Sequence, residues 1–247
     1  MPVTQVWLSA FSINDQQLTI INRMRKLLYI PIIHEDADMG SAASSIGKKS
    51  VEICGMERWE RHKEIVTRFW DKISAYFGEM DPGDLVIYQD GLMVDGELGR
   101  RIIEEGAKKG SRNYQIVLDL IKRGGEIRRT EDIQFIKKEL DRILQLAQIE
   151  PEQETNSHAT QTRIDGQRLM EERDNFIAKA INETLKSQER GVLFLGAFHN
   201  VLSRLADDIK VTEVKNAGKV KHYFASLISG NDNLELNQLA AYLVSDI

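Results

Sequence analysis

Apolar residues along this chain fall into two patterns. In the first they recur every three or four positions over long stretches, as a helix with one buried face requires. Residues 57–77 are the clearest case, with Ile65, Val66, Phe69, Trp70, Ile73 and Phe77 on one face. The same spacing predicts helices over 96–109 and 111–122, where Ser111 can cap the start and Gly124-Gly125 the end of the second. Another comes after Thr130, with Ile133, Ile136, Leu140, Ile143, Leu144 and Ala147 as its stripe, and the longest covers 162–187. In the second pattern the apolar residues run without a break, at 27–33, 85–88, 192–195 and 209–214, with a weaker run at 126–129. Short runs alternating with helices read as strands buried on both faces of a mostly parallel sheet. Pro31 weakens the first of these strands because it removes one ladder donor. The expected fold is α/β: a parallel-rich mixed sheet flanked by helices, helix-dominated, with an additional helical C-terminal tail.

The stretch 150–161 is polar and contains a proline, so it reads as a linker within a single α/β domain, residues 1–247. It joins an N-terminal half, 1–149, to a C-terminal half, 162–247. From Lys219 the tail returns to helical spacing, with Leu234, Leu236, Leu239, Ala240 and Leu243 as an apolar face. That face would pack on its own core or on a second copy of the chain as a homodimer.

Polar residues with chemical potential cluster at the ends of the apolar runs. His34, Glu35, Asp36 and Asp38 come after the first; Gln89, Asp90 and Gly91 after the second; Thr130, Glu131 and Asp132 after the weak one; His199 and Asn200 after the fourth in sequence. In open parallel sheets ligands bind beyond the carboxyl ends of the strands, so adjacent strands would bring two imidazoles and several carboxylates together. Acidic residues at such ends also serve as turn formers and helix caps, which is the plain reading of Asp36, Asp38 and Asp132. Arg173 is an independent signal. It sits within the stripe Leu169, Phe176, Ile177, Ala180 and Thr184, and a buried guanidinium needs a carboxylate or an oxyanion. Its neighbours Glu172 and Asp174 read as solvent-facing or pairing residues.

Composition bounds these readings. The 247 residues are 42% hydrophobic and 29% charged, enough for a sizeable core, so global disorder is excluded. A single cysteine, Cys54, excludes a disulfide scaffold. No apolar run approaches the roughly 18–20 residues of a membrane span, and the N-terminus has no signal-peptide pattern, so a cytoplasmic protein without a membrane partner is expected. With 33 basic and 38 acidic residues the net charge is −5, which together with 7% aromatic content speaks against nucleic acid as a partner.

The C-terminal stretch, Glu172-Arg173-Asp174 and then Gly196-Ala197-Phe198-His199, resembles the TraB/PrgY, Tiki and erythromycin-esterase superfamily. There an arginine on a helix precedes a strand that ends in Gly-Ala-x-His. The N-terminal half is similar, with a strand ending in His34 and a later strand ending in an acidic residue. The resemblance covers about residues 27–214. It implies that His34, Arg173 and His199 hold active-site positions. The acidic position falls on Asp90, with Gln89 as the literal match, and Glu131 is a further cleft carboxylate. The chain departs from the pattern at Gln89, which cannot act as a base, and at Pro31-Ile32-Ile33-His34, where the family has Gly-x-x-His. Members assigned as proteases, esterases and haem-associated proteins share the pattern, so it implies a hydrolase acting on a small-molecule or peptide substrate.

The same side chains suggest a mechanism. One histidine takes a proton from water, a carboxylate orients it, and Arg173 stabilises the charge that develops on the attacked group. His34, His199 and Asp90 could instead hold a divalent metal, Zn²⁺ or Mn²⁺, with an open water position. The rival class is a catalytically inactive binding or regulatory protein for a small phosphorylated ligand or nucleotide. Gln89 and the missing Gly-x-x-His motivate it, and nine basic against four acidic residues between Arg100 and Arg129 point to the phosphate-bearing ligand, with Arg128 and Arg129 as its anion ligands. Their plain reading is solvated helix ends. Residues 40–50 lack phosphate-loop spacing and read as a flexible lid beside the cleft. Cys54 reads as a small buried residue rather than a nucleophile.

Overall fold

A computed structural model describes residues 24–38, 43–148, 156–229 and 233–247. Five strands, β1 (Arg25–Ile32), β2 (Leu85–Gln89), β3 (Glu126–Arg128), β4 (Arg190–Gly196) and β5 (Ile209–Glu213), form one sheet in the order β3-β2-β4-β1-β5. Every pairing is parallel, so the sheet is α/β in type with no antiparallel edge among the described residues. The helices are α1 (Ala43–Cys54), α2 (Met56–Gly78), α3 (Gly96–Lys108), α4 (Arg112–Lys122), α5 (Ile133–Gln148), α6 (Asn156–Thr184), α7 (Ala217–Ser229) and α8 (Asn233–Leu243). Among the described residues no helix is long and apolar enough to cross a membrane.

Alternation along the strands divides the core. Ile30, Ile32, Ile87, Val192 and Phe194 face the layer that contains Phe69, Trp70, Ile73 and Phe77 of α2. Leu27, Tyr29, Val86, Tyr88, Leu193 and Leu195 face the other way, onto Ile177, Ala178, Ile181 and Leu185 of α6 and the turn after it. Both faces being covered explains why the strands read as unbroken apolar runs.

Pro31 is accommodated inside an internal strand. Arg25 donates its N–H to Asp208 and Tyr29 accepts from Val214, so odd-numbered residues of β1 turn their backbone groups toward β5. The pairing with β5 ends at Tyr29. Pro31 therefore lacks an N–H on the side where no partner strand remains.

Several expectations change. Residues 43–54 form a helix where an irregular segment was expected over 40–50, and 40–42 lie outside the described residues. A separate helix comes next because Gly55, at φ 82°, breaks the path between α1 and α2. The longest helix begins at Asn156, so the last residues of the expected linker are helical, while 150–155 lie outside the described residues. In α5, Ile133 and Leu140 are exposed, so the expected stripe is not buried there; the side chains of Ile143, Leu144 and Ala147 lie outside the described residues. In α8, Leu236, Ala240 and Leu243 join the core beside α2 and α7, whereas Leu234 is exposed.

Helices α3 and α4 pack through a close approach at Gly106. A Cβ there would lie 2.7 Å from the Tyr114 ring. Gly106→Ala is expected to destabilise the protein by about 1–3 kcal/mol in urea unfolding, although alanine favours an isolated helix by about 1 kcal/mol. Unchanged or increased stability would contradict this packing.

Candidate functional site

The chain leaves β2 toward β3 at one edge of the sheet and leaves β4 toward β5 near the other. Connections that diverge from neighbouring strands open a crevice at their carboxyl ends. Asp90 comes directly after β2 and Gly196-Ala197-Phe198-His199 closes β4, so both border this crevice. The Asp90 Oδ2 accepts the Gly196 N–H at 3.1 Å, which pins the two exits together. The β3 exit joins them through the backbone. The Thr130 and Glu131 N–H groups both donate to the Leu92 carbonyl, and the Thr130 hydroxyl donates to the Gln89 carbonyl.

Arg173 reaches this junction from α6. Its Nε and Nη2 donate to Glu131 Oε1 at 3.0 and 2.6 Å, and Nη2 also donates to Asp90 Oδ1 at 3.1 Å. Its Nη1 has no hydrogen-bond partner among the described residues. Arg173 is 8% exposed and Glu131 fully buried. Burial and the nearby Asp90 charge raise the Glu131 pKa to about 7, against the pull of Arg173. Burial also acts to raise Asp90, but His199, Arg173, His34 and the Gly196 N–H outweigh it and hold that carboxyl below its ordinary value. Two carboxyls on one guanidinium are thus driven apart in acidity.

The residue after Arg173 holds the histidine. Asp174 Oδ1 lies 2.6 Å from His199 Nδ1, and its Oδ2 accepts the Asn200 N–H at 2.8 Å. In the neutral ring this network places the proton on Nδ1 and leaves Nε2 as the acceptor. Nε2 is 3.8 Å from Asp90 Oδ2, too far for a direct hydrogen bond.

These groups form the inner end of a cavity of about 670 Å³, and His34, Asp90, Arg173 and His199 all line it. Glu131 stands behind Arg173. His34 belongs to the cavity but not to the bonded network: its Nδ1 lies 3.7 Å from Asp38, and 44% of its side chain is exposed. Partial desolvation inside the cavity acts to lower its pKa, but Asp38 and Asp90 more than compensate, so the net direction is upward. Helix α1 contributes Ile46, Ser50, Ile53 and Cys54 to the wall. Cys54 is only half-buried and its thiol is pushed up by burial, which favours the unreactive form.

Two further amides line the cavity. Gln89 and Asn113 are buried, and Gln89 Oε1 and Asn113 Oδ1 have no hydrogen-bond partner among the described residues. An unmatched buried acceptor costs about 1–3 kcal/mol.

The expected metal set of His34, His199 and Asp90 is not assembled. Among the described residues no three His, Cys, Asp or Glu side chains are grouped to hold a metal ion. The physical reason is prior commitment: Asp90 is bound to Arg173 and the Gly196 N–H, His199 Nδ1 to Asp174, and a guanidinium occupies the centre. The expected anion ligands are committed too. Arg128 binds the Thr184 carbonyl, Glu126 and Glu189, and Arg129 binds the Glu131 carbonyl and Asp132.

Sequence reasoning missed Asp174 as a site residue. The buried face of α6 runs through Leu169, Arg173, Asp174, Ile177, Ala178 and Ile181. Phe176, Ala180 and Thr184 are only partly buried and drew the stripe one position too far round. The signal was present in the spacing of Asp174 from Ile177, Ala178 and Ile181. His62, also missed, lines the cavity from α2; its Nδ1 lies 3.0 Å from the Tyr223 hydroxyl, and burial lowers its pKa to about 4.

Searches of protein-family models, curated proteins and solved structures give no match to this chain.

The Glu131 shift has a stability consequence. Its folded pKa, about 7, lies above the ordinary 4.5, so folding retains a proton that the unfolded chain releases in between. The contribution is present below pH 4.5 and lost as pH rises through 7. Relative to Glu131→Gln, the wild-type protein should lose stability on the order of 1–3 kcal/mol between about pH 5 and 8. Denaturant unfolding at several pH values checks this, and a pH-independent difference would contradict it.

Proposed function

We propose that the protein is a hydrolase of the ester, peptide or related acyl bond, with water activated by His199. The observation that carries this reading is the bonded pair Asp174–His199 set beside the bonded network Asp90–Arg173–Glu131, with His199, Asp90 and Arg173 lining one cavity. Asp174 fixes the imidazole so that Nε2 faces the 3.8 Å gap to Asp90. A water bound at Nε2 on the cavity side gives its proton to Nε2 as its oxygen bonds to the substrate carbonyl carbon. The carbonyl electron pair moves onto oxygen, where Arg173 Nη1 donates to it. Collapse of this adduct expels the leaving group, which takes the proton back from His199. Glu131 and Asp90 act as positioning residues, because they hold the guanidinium so that Nη1 remains free. The resemblance of Glu172-Arg173-Asp174 and Gly196-Ala197-Phe198-His199 to the TraB/PrgY, Tiki and erythromycin-esterase superfamily supports the same reaction class.

A second reading, a binding protein without turnover, is favoured by Gln89, an amide at the literal acidic position whose Oε1 is unpartnered.

The test is a panel of ester, peptide and phosphoester substrates. On the acyl substrate that is turned over, His199→Gln should lower kcat by about 10²–10⁴-fold. Asp174→Asn should approach the upper part of that range through the wrong tautomer, with the melting temperature recorded for each. Full activity in His199→Gln would overturn the reaction scheme, and no turnover of any substrate by the wild-type protein would favour the binding reading.

A further inference from the structure

Tyr114 lines the cavity together with Asp90, Arg173 and His199, and the reaction above does not use it. Two contacts fix where its ring stands. Ser111 Oγ accepts the Tyr114 N–H at 3.3 Å and so caps the first turn of α4. The ring lies against α3 at Gly106, so closely that a Cβ there would come within 2.7 Å of its Cγ. The hydroxyl has no hydrogen-bond partner among the described residues. It is not enclosed, however: unlike Gln89 Oε1 and Asn113 Oδ1, it keeps accessible surface. Burial first, then the charges of Asp90 and Asp38, push the phenol up to about 12, so at neutral pH it keeps its proton and can donate it to a hydrogen bond. Asp90 is also bonded to Arg173, so the phenol and the guanidinium share a neighbour.

An oxyanion accepts more than one hydrogen bond, and Arg173 Nη1 supplies one. We infer that the Tyr114 hydroxyl supplies a second, donating to the substrate carbonyl oxygen as negative charge develops on it. This deepens the hydrolase reading and rests on it. Tyr114 keeps its proton throughout. The proton that moves is still the one carried from water to His199 and on to the leaving group. A neutral phenol suits the place, because it adds a donor without setting a second cation beside Asp90. The close contact with Gly106 holds the ring before the charge appears, and a donor already in place is what makes such stabilisation effective.

The test uses the acyl substrate of the panel that the wild-type protein turns over, with each variant assayed well below its melting temperature. Tyr114→Phe removes only the unpartnered hydroxyl. It should lower kcat about 10²-fold, change KM by less than about threefold and leave the melting temperature within about 2 °C. Gly106→Ala displaces the ring. It should lower kcat about tenfold in the wild-type background but less than about twofold when Tyr114→Phe is already present. A merely structural role for the ring would give the same loss in both backgrounds. Unchanged kcat in Tyr114→Phe, a loss confined to KM, or equal kcat losses on Gly106→Ala in the two backgrounds would overturn the inference. If His199→Gln abolishes turnover while Tyr114→Phe leaves it intact, the hydrolase reading stands and the role of Tyr114 fails. No turnover of any substrate by the wild-type protein would overturn both.

Discussion

One guanidinium shared between two buried carboxyls holds this site in place. Arg173 comes from α6, Asp90 from the β2 exit and Glu131 from the β3 exit, so a single side chain ties three separately folded segments to one point. A buried pair of this kind is not a large net source of stability. Desolvation offsets much of the attraction, yet removing one partner leaves an uncompensated charge. Its value is positional. With Nε and Nη2 occupied, the orientation of the whole group is fixed and Nη1 is left over.

The sheet topology decides where that point lies. Five parallel strands with connections diverging from β2 and β4 create the crevice, and the Asp90–Gly196 hydrogen bond closes its base. The helix above then works twice within two residues. Arg173 turns toward the carboxyls and Asp174 toward His199, so both contacts are set by one helix.

The strands were legible because each is buried on both faces and so reads as an unbroken apolar run. The cleft was legible because parallel strands expose their carboxyl ends together, which is why His34, Asp90 and His199 could be placed around one hollow from order alone. Arg173 stood out because it is charged at a position whose spacing demands burial. Asp174 did not, since Phe176 and Ala180 moved the apparent centre of the α6 stripe away from it. Helix α1 was obscured by its small and basic residues: no side chain of α1 is buried, so its apolar positions give no strong stripe. Metal ligation was a matter of residue types without geometry. The same imidazoles and carboxylates are consumed by Arg173, Asp174 and a backbone N–H, and spacing in the sequence carries no record of that.

Whether the guanidinium organises this junction is decided by a double-mutant cycle on Arg173 and Glu131, read by equilibrium unfolding of Arg173→Met, Glu131→Gln and the double variant. Arg173→Met should cost about 3–5 kcal/mol, because it strands buried carboxyls. The double variant should lose less than the sum of the two singles, with a coupling of about 1–3 kcal/mol. Losses that simply add, within about 0.5 kcal/mol, would mean that Arg173 and Glu131 act independently and that the shared guanidinium is not what holds the site.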